Sequence, residues 1–226
     1  MNNSEKTHIF IDGGNFYHLV LKKIGITELD FDFEKFTRFL ANGRILPKMG
    51  KRYYTGTVKE KEGDIKSKEA MSKQTSLFTI LKNNEWEIRT SKLRKRYEEI
   101  IVDERVTNYK DLLQMGIQKI EYERLREKGI DVKIATDLIV GAIENKYDTA
   151  IIVSSDTDLV PAIDWIRNRI KKSVEYVGFS IPDENDEKKS TTPSLALIPK
   201  TDLQRILVLS DIKPFIKDGE RKQKIV

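Results

Sequence analysis

The sequence contains no cysteine and only two histidines among 226 residues. The missing cysteines exclude disulfide bonds, thiolate zinc sites and cysteine nucleophiles. The two histidines, His8 and His18, are too few for a histidine-rich metal site, and they do not support Ser-His-Asp or Cys-His catalysis. Any metal site or catalytic centre must therefore be built mainly from other side chains.

Long apolar runs are missing as well. No segment approaches the roughly 18 consecutive apolar residues of a membrane span. The first six residues, Met1 to Lys6, lack the hydrophobic core of a signal peptide. We therefore expect a cytoplasmic protein without a membrane partner, and its length and 38% hydrophobic content favour a single domain over residues 1–226.

The charge balance is moderately basic. The chain carries 41 lysines and arginines against 36 acids, a formal net charge of +5, with a pI near 9.1. If acids cluster in one place, basic residues dominate elsewhere on the surface, which suggests a polyanionic partner.

Apolar patterning alternates between strand and helix along the chain. Strands are predicted at 8–11, 52–58, 86–90, 130–134, 149–153 and 174–178, and helices begin after Asn15 and cover 33–40, 71–81, 111–128, 136–145 and 159–170. This alternation is typical of an α/β protein with a mainly parallel sheet covered on both faces.

Acidic residues follow two of the predicted strands. The run Ile151-Ile152-Val153 leads to Asp156 and Asp158, and the strand ending at Ile11 leads directly to Asp12. Side chains at the carboxyl ends of parallel strands point into the crevice where open α/β sheets bind ligands. If the two strands are neighbours, these three carboxylates converge, and a divalent cation relieves their repulsion. Hard oxygen ligands suit Mg²⁺ or Mn²⁺.

Three sequence blocks resemble the signature motifs of the NYN domains. They are Asp12-Gly13-Gly14-Asn15 after the first strand, Asp137 within Ile134 to Leu138, and Ser154-Ser155-Asp156-Thr157-Asp158-Leu159-Val160-Pro161. The blocks occur in the family's order over residues 7–180, which the resemblance marks as the domain core. The nearest branch is similar to the LabA-like group of the PIN-like nuclease superfamily.

The resemblance implies a PIN-like, Rossmannoid three-layer α/β/α sandwich and a ribonuclease that uses Mg²⁺ or Mn²⁺. Asp12, Asp137, Asp156 and Asp158 would be the catalytic and metal-binding acids, with Asp137 a candidate for a second ion. Asn15 would orient a carboxylate or touch the scissile phosphate. Ser154 or Ser155 would support the cluster by hydrogen bonding, although the family often has glycine where this chain has Ser155. The expected partner is RNA, with single-stranded DNA left open.

Three segments depart from the regular alternation. Residues 92–108 are expected to form an inserted hairpin or arm, in which a basic run is a candidate for nucleic-acid contact: Lys92, Arg94, Lys95 and Arg96. Residues 182–193 contain almost nothing apolar and are predicted to be a mobile loop. The basic tail, 219–226, is expected to fray.

Each feature also has a simpler structural explanation. Asp156 or Asp158 could cap the helix that contains Pro161, and Asp137 could be an ordinary acid near a helix N-terminus. The chain could also be a non-catalytic nucleic-acid- or protein-binding regulatory module that keeps the fold. A Toprim-type or haloacid-dehalogenase-type phosphotransfer enzyme is disfavoured. The first would need a glutamate where Asp12 stands, and the second a nucleophilic Asp-x-Asp there.

Overall fold

The computed structural model describes residues 4–58, 60, 62–92, 94–126, 129–183 and 189–217. Its centre is a six-stranded sheet in the order β3-β2-β1-β6-β7-β8, and every neighbouring pair is parallel. The strands are β1 (Thr7–Asp12), β2 (Lys51–Thr57), β3 (Trp86–Lys92), β6 (Thr149–Val153), β7 (Ser173–Ser180) and β8 (Leu203–Val208). The mainly parallel α/β sheet predicted from the alternation is confirmed.

Helices cover both faces of this sheet, and each face has its own hydrophobic core. The helices are α1 (Gly13–Phe16), which continues as a π-helical turn (Tyr17–Leu21), then α2 (Phe33–Ala41), α3 (Ile65–Asn83), α4 (Tyr109–Gln114), α5 (Ile130–Ile143), α6 (Val160–Trp165), continuing as a π-helical turn (Ile166–Ile170), and α7 (Leu209–Ile212). One core joins α1, α2, α3 and α7 to the sheet, and the other joins α5 and α6 to it.

The two central strands are the most deeply buried elements. Every residue of β1 and of β6 is buried. A parallel strand with helices on both faces has no solvent-facing side, which is why these strands read as nearly continuous apolar runs. The register pairs Ile11 with Val153, so the residues that follow these two strands emerge side by side.

The prediction of a strand at 130–134 is wrong, because this segment opens helix α5. The apparent alternation of Ile130, Val132 and Ile134 suggested a strand, but Val132 is exposed while Ile130 and Ile134 are buried. Leu138 is buried on the same face, and the i, i+4, i+8 spacing is that of a helix. Gly129 precedes the helix with φ of 81°, which glycine adopts without strain.

The predicted helix at 111–128 is also wrong over most of its length. Helix α4 ends at Gln114, and Gly116, with φ of 78°, follows it. The chain then returns as β5 (Lys119–Arg126), which pairs antiparallel with β4 (Arg94–Ile101). The predicted arm is therefore a hairpin of β4 and β5, with α4 between its strands, and it extends further along the chain than 92–108. The spacing of Leu113, Ile117 and Ile120 mimicked a helical period across a turn.

Other predicted segments fall partly outside the described residues. Of the loop predicted at 182–193, residues 184–188 are outside, while its base is closed by paired backbone hydrogen bonds between Ile181 and Thr191. The predicted tail at 219–226 lies wholly outside. Within the described part of the chain, no helix is long and apolar enough to cross a membrane.

Candidate functional site

Asp12 is the last residue of β1. It is the most buried carboxylate at the carboxyl end of the central strands, with 8% of its surface exposed. Its Oδ1 accepts a hydrogen bond from the backbone N–H of Asn15 at 3.0 Å, so the side chain also caps helix α1. The hydroxyl of Ser154 donates to its Oδ2 at 3.3 Å. These bonds fix both oxygens between the ends of β1 and β6.

Burial raises the pKa of Asp12 from 3.8 to about 6, and the nearby charge of Asp156 is a smaller contribution to this rise. The hydrogen bonds from Asn15 and Ser154 act in the opposite direction, but they do not compensate for the lost hydration. A carboxylate with a raised pKa that lies in a depression, beside a second carboxylate, is typical of a functional site.

Asn15 and Ser154 tie the two strand ends together. The side-chain oxygen of Asn15 accepts the backbone N–H of Ser155 at 3.0 Å. The hydroxyl oxygen of Ser154 accepts the N–H of Asp156 at 3.2 Å. Ser155 is turned the other way, and its hydroxyl lies 3.3 Å from that of Tyr176. Asn15 and Ser154 therefore hold Asp12 and Asp156 in a fixed relation.

Asp156 combines a capping role with a position in the site. Its Oδ1 accepts the N–H of Asp158 at 2.9 Å and caps the 3-10 turn that leads into α6. It also lines the same open depression as Asp12. Asp158 is exposed and does not line the depression. The structure thus brings Asp12 and Asp156 together and does not bring Asp158 into the depression.

The depression is an open cavity of about 610 Å³ at the carboxyl ends of β1 and β6. Its lining residues are Asp12, Gly14, Asn15, His18, Leu19, Gly129, Ile130, Asp131 and Asp156. Asp131, in the first turn of α5, was missed in the sequence because the segment was interpreted as a strand. The helical spacing of Ile130, Ile134 and Leu138 is the signal that would have found it.

Asp137 forms a hydrogen bond and ion pairs with residues that do not line the depression. The hydroxyl of Tyr54 donates to its Oδ2 at 2.8 Å, and the same oxygen lies 3.3 Å from Nε of Arg89 and 3.6 Å from Nη1 of Arg52. Glu87 pairs with both arginines, so the network contains two acids and two bases. Asp137 does not line the depression, and its predicted metal role stays a prediction.

The predicted basic residues at 92–96 that the structure describes do not line the depression. Lys92 is exposed at the end of β3, and Lys95 and Arg96 are exposed on β4, where Lys95 pairs with Glu123 at 3.1 Å. Arg94 is the first residue of β4. Their contact with nucleic acid stays a prediction.

Comparison with known proteins identifies the family. The NYN domain matches residues 6–197. The chain belongs to the NYN domain family. A solved structure from Vibrio parahaemolyticus RIMD 2210633, described as a protein of unknown function VPA0982, is similar in fold: 18% identity, a TM-score of 0.53, and coverage of 92% of this chain and 95% of that one. A search of curated proteins found no match.

Membership of the NYN family brings the nuclease-like, PIN-type fold with it. Within the described residues, no group of three or more acidic or histidine side chains is close enough to hold a metal ion by itself. Mg²⁺, however, is usually held by one or two carboxylates, with waters and substrate phosphates as the other ligands. The hard oxygens of Asp12 and Asp156, with Asp131 also lining the depression, fit that requirement.

Proposed function

We propose that this NYN protein is a metal-dependent ribonuclease that hydrolyses phosphodiester bonds of RNA. The observation that carries the proposal is the pairing of Asp12 with Asp156. A buried carboxylate whose pKa is raised to about 6 faces a second carboxylate in an open depression at the carboxyl ends of adjacent parallel strands. Capping does not require the two acids to be neighbours, and the charge of Asp156 disfavours the ionised form of Asp12.

Asp12 and Asp156 would hold Mg²⁺ or Mn²⁺, and Asp131 would face the same ion or its waters. When bound, the cation would screen the phosphate charge and lower the pKa of an attacking water. Ser154 and Asn15 keep Asp12 oriented through their hydrogen bonds to its two oxygens. Because those bonds form before substrate arrives, little reorganisation is needed when a phosphodiester enters the depression.

Two further acids complete the proposed site, with different expectations. Asp158 would contact substrate or ordered water at the open margin. Asp137 would bind a second ion only if its contacts with Arg52 and Arg89 were exchanged. We also keep the LabA-like assignment and a cytoplasmic location as parts of the proposal. The absence of cysteine is compatible with a reducing compartment.

The test is incubation of the purified protein with labelled single-stranded RNA, duplex RNA and single-stranded DNA, each with Mn²⁺, Mg²⁺ or chelator. Asp12→Asn and Asp156→Asn should each lower the cleavage rate by about 100-fold or more without unfolding the chain. Asp164→Asn is the matched control, because Asp164 pairs with Lys200 and does not line the depression. Cleavage that persists in chelator, or in both site variants, would refute the metal mechanism.

Comparing Asp131→Asn with Asp137→Asn separates two versions of the site. If Asp131 lies in the metal shell, its variant should require more Mn²⁺ for half-maximal cleavage. If Asp137 acts only through Tyr54 and the arginines, its variant should lose stability with an unchanged metal requirement. If Asp137→Asn instead raised the Mn²⁺ requirement and Asp131→Asn did not, Asp137 would be a metal ligand, as the family resemblance implies.

A second candidate is a non-catalytic RNA- or protein-binding module. It is favoured by the neutralisation of Asp137 and by the absence of a three-acid group among the described residues. Such a module would bind RNA without turnover under single-turnover conditions. Its affinity would be unaffected by Asp12→Asn, whereas an enzyme that binds RNA through a shared cation would show a metal-dependent affinity that this variant reduces.

A further inference from the structure

The outer edge of β4 has no strand partner in the part of the chain that the structure describes. Among the described residues, β4 pairs with β5 alone, so the two strands form a separate two-stranded sheet. Such a hairpin is marginally stable in water by itself, and an unpaired strand edge is a template for another strand. Tyr97 is 83% exposed and Ile101 is 58% exposed. The free edge and its apolar side chains therefore fit an extended partner strand.

The register identifies which backbone groups of β4 face outward. Opposite residues in an antiparallel pair alternate between hydrogen-bonded and non-hydrogen-bonded positions. The N–H of Val102 donates to the carbonyl of Gln118 at 2.9 Å, and Val102 and Gln118 continue the β4-β5 register. Even-numbered residues of β4 therefore bond to β5. Lys95, Tyr97 and Glu99 direct their N–H and C=O groups to the free edge.

We infer that two copies of this chain associate through the outer edges of β4, antiparallel, with Tyr97 opposite Tyr97 of the second copy. This register places Lys95 opposite Glu99 and Arg96 opposite Glu98, and the two-fold axis repeats both pairs. Opposite charges directly across an antiparallel pair stabilise it, and like charges destabilise it. The result is a four-stranded sheet in the order β5-β4-β4-β5.

Registers centred on the charged residues that flank Tyr97 are less favourable. Centring the axis on Lys95, Arg96, Glu98 or Glu99 places that residue opposite its own copy, with like charges in contact. Tyr97 alone separates the basic half of the strand from its acidic half. This sequence order makes the edge of β4 self-complementary. An edge strand that is protected against pairing usually carries a charge that repels a second strand.

Neither the edge of β5 nor a polyanion fits as well. Central registers of β5 against itself set Glu121 or Glu123 opposite a glutamate. A shallow cavity of about 380 Å³ on the arm is lined by four glutamates and two tyrosines: Tyr97, Glu98, Glu99, Glu121, Tyr122 and Glu123. These acids would repel phosphates at the middle of β4. A second copy supplies Arg96 and Lys95 at that position.

The experiment measures the mass of the full chain by analytical ultracentrifugation over a hundredfold range of concentration. Wild type should form a concentration-dependent dimer. Arg96→Glu or Glu98→Arg sets like charges opposite each other twice, so each variant alone should associate about tenfold more weakly or not at all. An equimolar mixture of the two variants restores every complementary pair, and it should dimerise like wild type.

Two further variants make the result specific to the edge. Tyr97→Pro removes an outward N–H without removing a β4-β5 bond, so it should abolish the dimer while circular dichroism stays unchanged. Glu121→Lys changes charge on β5, away from the proposed contact, and should leave the dimer intact. A wild type that is monomeric throughout, or a mixture that fails to associate, would overturn the inference. So would reversals that weaken RNA binding without changing the mass.

Discussion

Replacing Asp12 by asparagine should stabilise the metal-free protein at neutral pH, although it should lower the proposed cleavage rate by about 100-fold or more. The substitution removes a buried charge, since only 8% of the residue is exposed. Asparagine keeps an oxygen that can accept the N–H of Asn15. Its amide nitrogen can donate to the hydroxyl oxygen of Ser154, which already accepts the N–H of Asp156.

The size of this stabilisation can be estimated from the raised pKa of Asp12. A shift from 3.8 to about 6 corresponds to an upper limit of about 3 kcal/mol of unfolding free energy above pH 6. The variant also exchanges charge-assisted hydrogen bonds for weaker neutral ones, so we expect a net gain of about 1 to 2 kcal/mol.

The raised pKa of Asp12 also determines how the stability of the wild type changes with pH. Between pH 4 and 6 the native state holds a proton on Asp12 that the unfolded state has released, so wild-type stability falls as pH rises through this window. Below pH 4 both states are protonated and the difference between wild type and variant should vanish. The advantage of the asparagine variant should therefore appear between pH 4 and 6 and stay constant above.

Urea unfolding in the presence of chelator at pH 4, 5, 6 and 8 measures this difference. Asp156→Asn removes the neighbouring charge and keeps a good capping side chain, so its metal-free form should be no less stable than wild type. Adding Mn²⁺ should reverse the order, because a hundredfold excess over Kd stabilises wild type by about 2.7 kcal/mol. An Asp12→Asn variant that is destabilised equally at every pH, with no metal response in wild type, would show that Asp12 is only a structural cap.

Three other predictions concern buried residues of the two cores and of the start of α1. His8 is buried, and this burial together with the charges of Arg52 and Lys146 lowers its pKa to about 4. The unfolding free energy should therefore fall by up to about 3 kcal/mol as pH falls from 6.5 towards 4. His8→Phe should reduce this pH dependence in urea unfolding, and an unchanged dependence would assign it to other groups. Tyr54→Phe should lower unfolding free energy by about 1 kcal/mol through the lost bond to Asp137, measured by thermal melting, and a neutral effect would mean that the arginines alone hold that acid. Gly13→Ala should cost about 1 to 3 kcal/mol, because the new Cβ would lie 2.3 Å from the Tyr53 ring; a melting curve like that of wild type would show that the ring can move.

Much of the fold was predictable from local sequence pattern. The apolar runs ending at Ile11 and Val153 specify buried strands, since only a strand covered on both faces is apolar at every position. Asp12 and Asp156 were identified because acids follow these runs, Asp12 immediately and Asp156 after two serines. Pattern failed in α5 and β5, where short segments of alternating apolar residues match both the helical and the strand period.

The tertiary structure decided which acids share one site. Sequence order does not specify that β1 and β6 are neighbours, and that pairing alone sets Ser154 beside Asp12 and Asp156 within reach of its charge. Asp131 and Asp137 are six residues apart on one helix, yet the first lines the depression and the second meets Tyr54 and two arginines. The sequence determined which side chains stand at the carboxyl ends of the strands, because strand ends and the acids that follow them are local features. Their partners come from distant parts of the chain, and only the packed fold brings those parts together.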